Sequence, residues 1–139
     1  MKLRLGGAIL AFAIICIFSC QNEDQIEYNR YYSSGSLLYQ NHCQNCHGDK
    51  GQGLAALIPP LTDSSYFKTN RAKLACYIQN GIKGPITINN KVFDDEMKPH
   101  TDLTPIEIAE VLTYVGNTFG NKLHTINEDE VQASLAGCK

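Results

Sequence analysis

Two thiols and an imidazole stand together at Cys43-Gln44-Asn45-Cys46-His47. In that order they suit one specific piece of chemistry. Each thiol adds across a vinyl group of a porphyrin to form a thioether, and the turn of chain that carries them aims the next side chain, His47, at the metal. The pattern is that of c-type haem attachment. Two other chemistries compete. A Cys-x-x-Cys pair is half of a zinc site, but neither Cys76, Cys138 nor a spare histidine forms a second close pair. A dithiol redox pair would open a helix within a strand–helix alternation, which does not surround this stretch. Neither alternative uses the adjacent His47.

An iron held by His47 on one side needs an account of the other. The chain has two methionines. Met1 falls in an apolar leader, which leaves Met97 as the sole thioether of the mature chain, fifty residues after His47. A lone methionine is usually core filler. Met97 instead has Asp94, Asp95, Glu96, Lys98 and His100 around it, poor company for a core residue. The rival ligands are His100, His42 and His124, or the position is open. Mixed His/Met ligation raises the potential relative to more basic ligand sets. A filled sixth position also leaves nowhere for substrate, which argues for electron transfer over catalysis. The competing function is a haem with a displaceable sixth ligand that binds a small molecule or peroxide; no distal acid–base pair is visible for it.

The ends of the chain say where this chemistry takes place. Lys2 and Arg4 precede an apolar run, Leu5 to Phe18, of fourteen residues, shorter than the roughly 20 a spanning helix needs. Residues 1–19 have the form of a secretory signal peptide. Ile17-Phe18-Ser19-Cys20 resembles a bacterial lipoprotein box, which would make Cys20 the acylated first residue of the mature chain; an ordinary secretory signal is the alternative. The mature chain of 120 residues fits one domain. Losing Lys2 and Arg4 takes the formal charge from −2 to −4, so no basic patch invites nucleic acid. Of six cysteines, Cys76 and Cys138 remain after signal, lipid and haem take theirs. Export puts that pair in an oxidising compartment, which favours a disulfide; two free thiols are the alternative.

The elements that must position these groups are legible in part. Residues 20–33 are polar and read as a tether, followed by a domain over 34–122 and a C-terminal extension over 123–139. Ser33, Ser34 and Ser36 are candidate caps of a helix leading into the Cys43 motif, in which Gly35 allows close approach by another helix. Gly48, Gly51 and Gly53 loop the chain, and Pro59-Pro60 forces an extended segment. A middle helix is expected over Arg71 to Asn80, with Leu74, Tyr77 and Ile78 inward and Gly81 as its stop. Ile86, Ile88 and Val92 around Asn89-Asn90 suggest a small hairpin near 86–93. Thr104-Pro105-Ile106-Glu107 combines a capping box with proline at the first helical position. Ile108, Val111, Leu112 and Val115 then form an apolar stripe, ended by Gly116 or Gly120.

With these residues in view the chain resembles the class I c-type cytochromes, small monohaem electron carriers, from about Gly35 to Asn121. Gly35 and Tyr39 before the Cys43–His47 motif resemble that family's first helix, and Val111 and Tyr114 the positions on its last helix that cross it. Ile58-Pro59-Pro60-Leu61 is similar to the segment below the haem. The resemblance implies that the Pro59 carbonyl accepts a hydrogen bond from the free nitrogen of His47 and that Leu61 packs on the porphyrin. It also implies an all-α class I cytochrome c fold: three main helices around one covalent haem c, with a small β-hairpin inserted. In the family proline often follows the ligand methionine directly; here Lys98 intervenes before Pro99. The implied function is a lipid-anchored electron carrier or relay, not an enzyme, on the periplasmic side of a bacterial envelope. Its partners would be a membrane and the redox donor and acceptor proteins that dock transiently, with Lys83, Lys91, Lys98 and the Asp94-Asp95-Glu96 run at the border of the docking face. A fixed place within an oxidase or reductase complex is a further reading.

Overall fold

Gly35 is where the two long helices of the protein meet. The computed structural model describes residues 23–138; the expected signal peptide and the lipid-bearing Cys20 lie outside the described residues. Helix α1 (Glu23–His42) buries Tyr31, Gly35 and Tyr39, four residues apart on one face. That face crosses α5 (Pro105–Thr118). A Cβ on Gly35 would overlap the Glu110 carbonyl and stand 2.9 Å from Tyr114 Cβ, so only glycine lets the two backbones approach this closely. Of the two crossing positions expected on α5, Tyr114 is at the contact. Val111, about 100° around the helix from Glu110, also lines a central cavity.

The expected polar tether is helical from Glu23 onward. Its anchors are tyrosines, whose rings bury while their hydroxyls stay polar. Tyr31 is buried, and the Tyr32 ring lies 5.1 Å from that of Tyr114 while its hydroxyl accepts from Thr118 Oγ1 at 3.0 Å. Ser33, Ser34 and Ser36 therefore lie inside α1 and cap nothing. Glu23 and Asp24 occupy its first described turn, where negative charge suits the helix dipole.

After the motif turn α2 (Gln44–His47) and its loop come α3 (Ser64–Thr69), a 3₁₀ turn (Arg71–Lys73), α4 (Leu74–Asn80), and the hairpin β1 (Ile86–Ile88) and β2 (Lys91–Phe93). The middle helix thus begins as a 3₁₀ turn and stops at Gly81 (φ 72°) as expected. The hairpin pairs Ile86 with Phe93 and Ile88 with Lys91. Asn89 and Asn90 both take positive φ, 50° and 60°, which a two-residue turn of right-handed strand twist requires. Ile88 and Phe93 point inward, whereas Val92 stays exposed.

Helix α3 was not expected, although its start is written in Asp63. One carboxylate oxygen accepts from Ser65 N at 3.0 Å and Tyr66 N at 3.1 Å, and the other from Asn89 N at 3.1 Å. Asp63 therefore caps α3 and ties the hairpin turn to it. These N–H groups, Tyr66 first, hold its carboxyl below the ordinary carboxylate range. Asp63→Ala is expected to cost about 1 kcal/mol in denaturant unfolding at neutral pH. The native pKa is lowered, so this stability is present above the unfolded value, about 4, and is lost as pH falls through the native one. Melts of both proteins should converge in acid; a gap that persists unchanged at low pH would show that the charge is not what holds the turn.

The C-terminal residues are part of the core, not an appendage. Leu123, Ile126 and Val131 are buried, and Thr113 Oγ1 both donates to Ile126 O at 3.1 Å and accepts from Ile126 N at 3.0 Å. Helix α6 (Glu128–Ala136) is capped by Asn127, whose side chain accepts from Glu130 N. Arg71 forks onto both Glu130 oxygens at 2.6 and 2.8 Å and onto the Leu123 carbonyl at 2.6 Å. Cys76 of α4 and Cys138 are joined as a disulfide, with Cα atoms 5.6 Å apart. Gly116 does not end α5. It sits inside the helix against Leu123, and the helix runs to Thr118, just before Gly120. Among the described residues no helix is long and apolar enough to cross a membrane.

Candidate functional site

The Cys43–His47 turn hangs directly from the end of α1. Cys43 N donates to Tyr39 O at 2.9 Å, Cys46 N to Cys43 O at 3.1 Å and His47 N to Cys43 O at 2.9 Å. One helical turn thereby sets Cys43, Cys46 and His47 along the same wall, the relation of residues three and four apart. Tyr39, fully buried, donates its hydroxyl to Gly48 O at 2.5 Å and so pins the chain as it leaves His47. Sequence reasoning placed Tyr39 on the right helix but did not foresee this bond.

That wall opens on a cavity of about 430 Å³, within the roughly 300–1,000 Å³ of small-molecule and cofactor sites. Leu61, Leu74, Val111, Leu112 and Val115 line its interior, and Ile86, Ile88 and Phe93 of the hairpin close it from another side. The hairpin insertion is therefore a wall of the site. Its alternation puts Phe93 inside, a residue the sequence reading passed over.

Inside this apolar space the donor set is small and specific. His47 is buried, and its Nδ1 lies 3.2 Å from the Pro59 carbonyl, to which an Nδ1–H donates, leaving Nε2 free toward the cavity. Burial pushes the His47 pKa down more than the Pro59 carbonyl raises it, and His100 lowers it further. The shift favours the neutral imidazole, the form that binds a metal. Burial, followed by the neighbouring Cys46, pushes the Cys43 thiol up to about 11. A dithiol redox centre works through a depressed thiol pKa, and burial moves Cys43 the other way. Among the described residues no group of three or more His, Cys, Asp and Glu side chains is arranged to hold a metal ion. Two thiols on one wall, a buried imidazole beside them and an apolar enclosure fit a covalent haem.

Met97 lines the same cavity. Its backbone forms an isolated antiparallel bridge with Ile82, with both N···O distances 3.0 Å. His42 and His100 also border the cavity; their rings meet edge-on at 5.9 Å, and His42 Nδ1 is 3.9 Å from Asp102 Oδ2. His124 is exposed and is not among the residues that line the cavity, so it drops out of the candidate ligands. The tertiary structure thus leaves Met97, His100 and His42 within the site.

The segment below His47 is held by backbone bonds. Gly53 N donates to His47 O at 2.8 Å, Leu54 N to Ile58 O at 2.9 Å and Leu61 N to Gly51 O at 2.7 Å. A Cβ on Gly53 (φ 69°) would overlap the Ile58 carbonyl, which explains a glycine there. Asn121, fully buried, donates to Leu61 O at 2.8 Å and Val115 O at 3.2 Å, tying this segment to the end of α5. An asparagine just past a helix end looks like a cap in sequence, and nothing local betrays a bond to a residue sixty positions away.

Residues 31–115 match the family model described as cytochrome C oxidase, cbb3-type, subunit III. Two cytochromes c-552 of Thermus thermophilus are each 26% identical to the chain over 93 residues, 64% of its length. The alignment spans 70% of one and 62% of the other. The family match takes in the Cys43–His47 turn, the cavity and Met97, and stops before α6 and Cys138.

Proposed function

Since the chain belongs to the cbb3-type cytochrome c oxidase subunit III family and is a monohaem class I c-type cytochrome with covalently bound haem c, we propose that it is a membrane-tethered electron carrier or relay. Cys43 and Cys46 would hold the haem through two thioethers, and His47 and Met97 would ligate its iron. The haem supplies a one-electron Fe(III)/Fe(II) couple. The observation that carries the reading is His47: buried, oriented by Pro59 and standing beside two thiols on the wall of an apolar cavity that Met97 shares.

The protein's own part is to keep the site dry and its ligands still. Pro59 fixes the ring plane of His47, as hydrogen-bonded partners of metal-binding histidines do. The hairpin and the α5 stripe exclude water. Electrons pass at the exposed edge, where Leu57 borders the cavity and Leu54 and Val92 present apolar surface. Lys91 Nζ donates to Ala55 O at 2.9 Å, drawing the hairpin against the Leu54–Leu57 loop. Lys83 pairs with Glu96 at 3.4 Å, so charges expected at the border partly satisfy one another. An apolar rim of this kind suits a transient redox partner, whose interfaces bury less than about 1,200 Å² in total. Cys20 carries the lipid, and the domain works on the periplasmic side of the envelope.

The test is the full chain produced in a host that attaches haem c and extracted from membranes in mild detergent. Haem should stay on the polypeptide after denaturation, one per chain, and titrate reversibly as a single electron. Haem released by denaturation would sink the thioether assignment. Cys20→Ala should move the protein into the soluble fraction; retention on the membrane would refute the lipid tether.

A further inference from the structure

Gly81 occupies backbone that other residues do not enter. Its φ is 72° and its ψ −175°, a region essentially reserved for glycine. It also has no space for a side chain. A Cβ there would overlap the Met97 carbonyl oxygen and stand 3.0 Å from Pro99 N and 3.1 Å from Lys98 C. The Met97-Lys98-Pro99 backbone therefore lies directly on the Gly81 Cα. Contacts on either side make the seat firm. Ile82 and Met97 exchange two backbone hydrogen bonds, each 3.0 Å, and His100 N donates to Ile78 O at 2.9 Å. Ile78 and Ile82 themselves line the cavity.

A second glycine three residues on provides the contrast. Gly84 also has a positive φ, 85°, yet a Cβ there would meet nothing within 4 Å. The connection thus holds one glycine needed for backbone conformation alone and one needed for conformation and contact.

We infer that Gly81 is the positioning residue for the sixth ligand: the absence of a side chain at 81 sets how far into the cavity Met97 reaches. The inference rests on Met97 as axial ligand. A metal ligand works only when the elements behind it hold it within about 0.5 Å of its place. A methyl group at 81 pushes on the Met97 carbonyl itself, one residue's backbone away from the thioether, and no flexible side chain lies between to absorb the shift.

The experiment compares Gly81→Ala, Gly84→Ala and Met97→Ala in the haem-loaded full chain by ferric spectrum, midpoint potential and carbon monoxide binding. Because the haem is covalent, the spectrum of whatever holoprotein accumulates is read independently of yield. Gly81→Ala should lose most of the long-wavelength ferric band of methionine ligation, shift the midpoint downward and admit carbon monoxide. Gly84→Ala also puts a side chain at a positive φ, 85°, and should keep all three properties of the wild type. If Gly81→Ala accumulates poorly, Ile82→Pro, which deletes the Ile82 N–H donated to Met97 O, should give the same loss. Wild-type spectra and potential in Gly81→Ala, alongside a changed Met97→Ala, would overturn the positioning role and leave the ligand assignment standing. An equal shift in Gly84→Ala would overturn it too. An unchanged Met97→Ala would remove the ligand assignment and the inference together.

Discussion

Met97→Ala should leave the haem covalently attached while opening the iron. On the proposed assignment the thioethers form at Cys43 and Cys46 beside the ligand His47, on a turn fixed by α1 and Pro59 and not by the Met97 segment, which is held by Ile82. Attachment therefore survives. If Met97 is the sixth ligand, losing its thioether should abolish the ferric band of sulfur ligation, allow carbon monoxide to bind the ferrous protein, and lower the midpoint potential, because a methionine ligand holds the potential up. Half-burial of Met97 and its backbone pairing with Ile82 mean that truncation to alanine leaves room for water or an exogenous ligand without collapse of the segment. The rivals within reach are His100 and His42. A spectrum untouched by Met97→Ala, but changed by His100→Ala or His42→Ala, would move the sixth ligand to a histidine.

Cys138→Ser is expected to be the most costly change for stability outside the haem turn. The disulfide links positions 62 residues apart, and releasing a loop of that size restores unfolded-state entropy worth about 4 kcal/mol. In a domain of this length that corresponds to a fall of roughly 10–20 °C in melting temperature. Native contacts near the bond should persist, because the Arg71 fork onto Glu130 and the Leu123 carbonyl and the buried Val131 still dock α6. The haem spectrum at room temperature should accordingly match the wild type. Thermal unfolding followed at the haem and in the far ultraviolet checks both halves. A melting temperature within a degree or two of the wild type would show that the bond contributes nothing to the folded domain.

Legibility tracked the range of the interactions. The α5 start was readable because a capping box acts over three residues: Thr104 N donates to Glu107 Oε2 at 2.8 Å. The hairpin was readable because paired positive φ values favour asparagine. Gly35 could be picked out as a crossing point because the neighbouring sequence is otherwise ordinary helix. Readings failed where the deciding partner was distant. Residues 23–33 looked like a tether because their anchors are tyrosines: Tyr31 is buried, and Tyr32 packs on Tyr114 and bonds Thr118, more than eighty residues on. Helix α6 is short and mostly polar; its place depends on Arg71, on Val131 and on Cys76.

The candidate site divides in the same way. By itself the sequence determined the chemistry available: two thiols and an imidazole in haem-attachment order, one methionine other than Met1, and an apolar N-terminal run followed by Cys20. Covalent spacing within one helical turn is a local property, and the chain carries it wherever it folds. Only the tertiary structure decided which distant groups share that cavity. It brought Met97, His100 and His42 to the site, left His124 on the surface, turned Phe93 inward and set the Met97 backbone on Gly81. Those placements depend on how α4, α5 and the hairpin pack, and packing is settled by contacts between segments far apart along the chain.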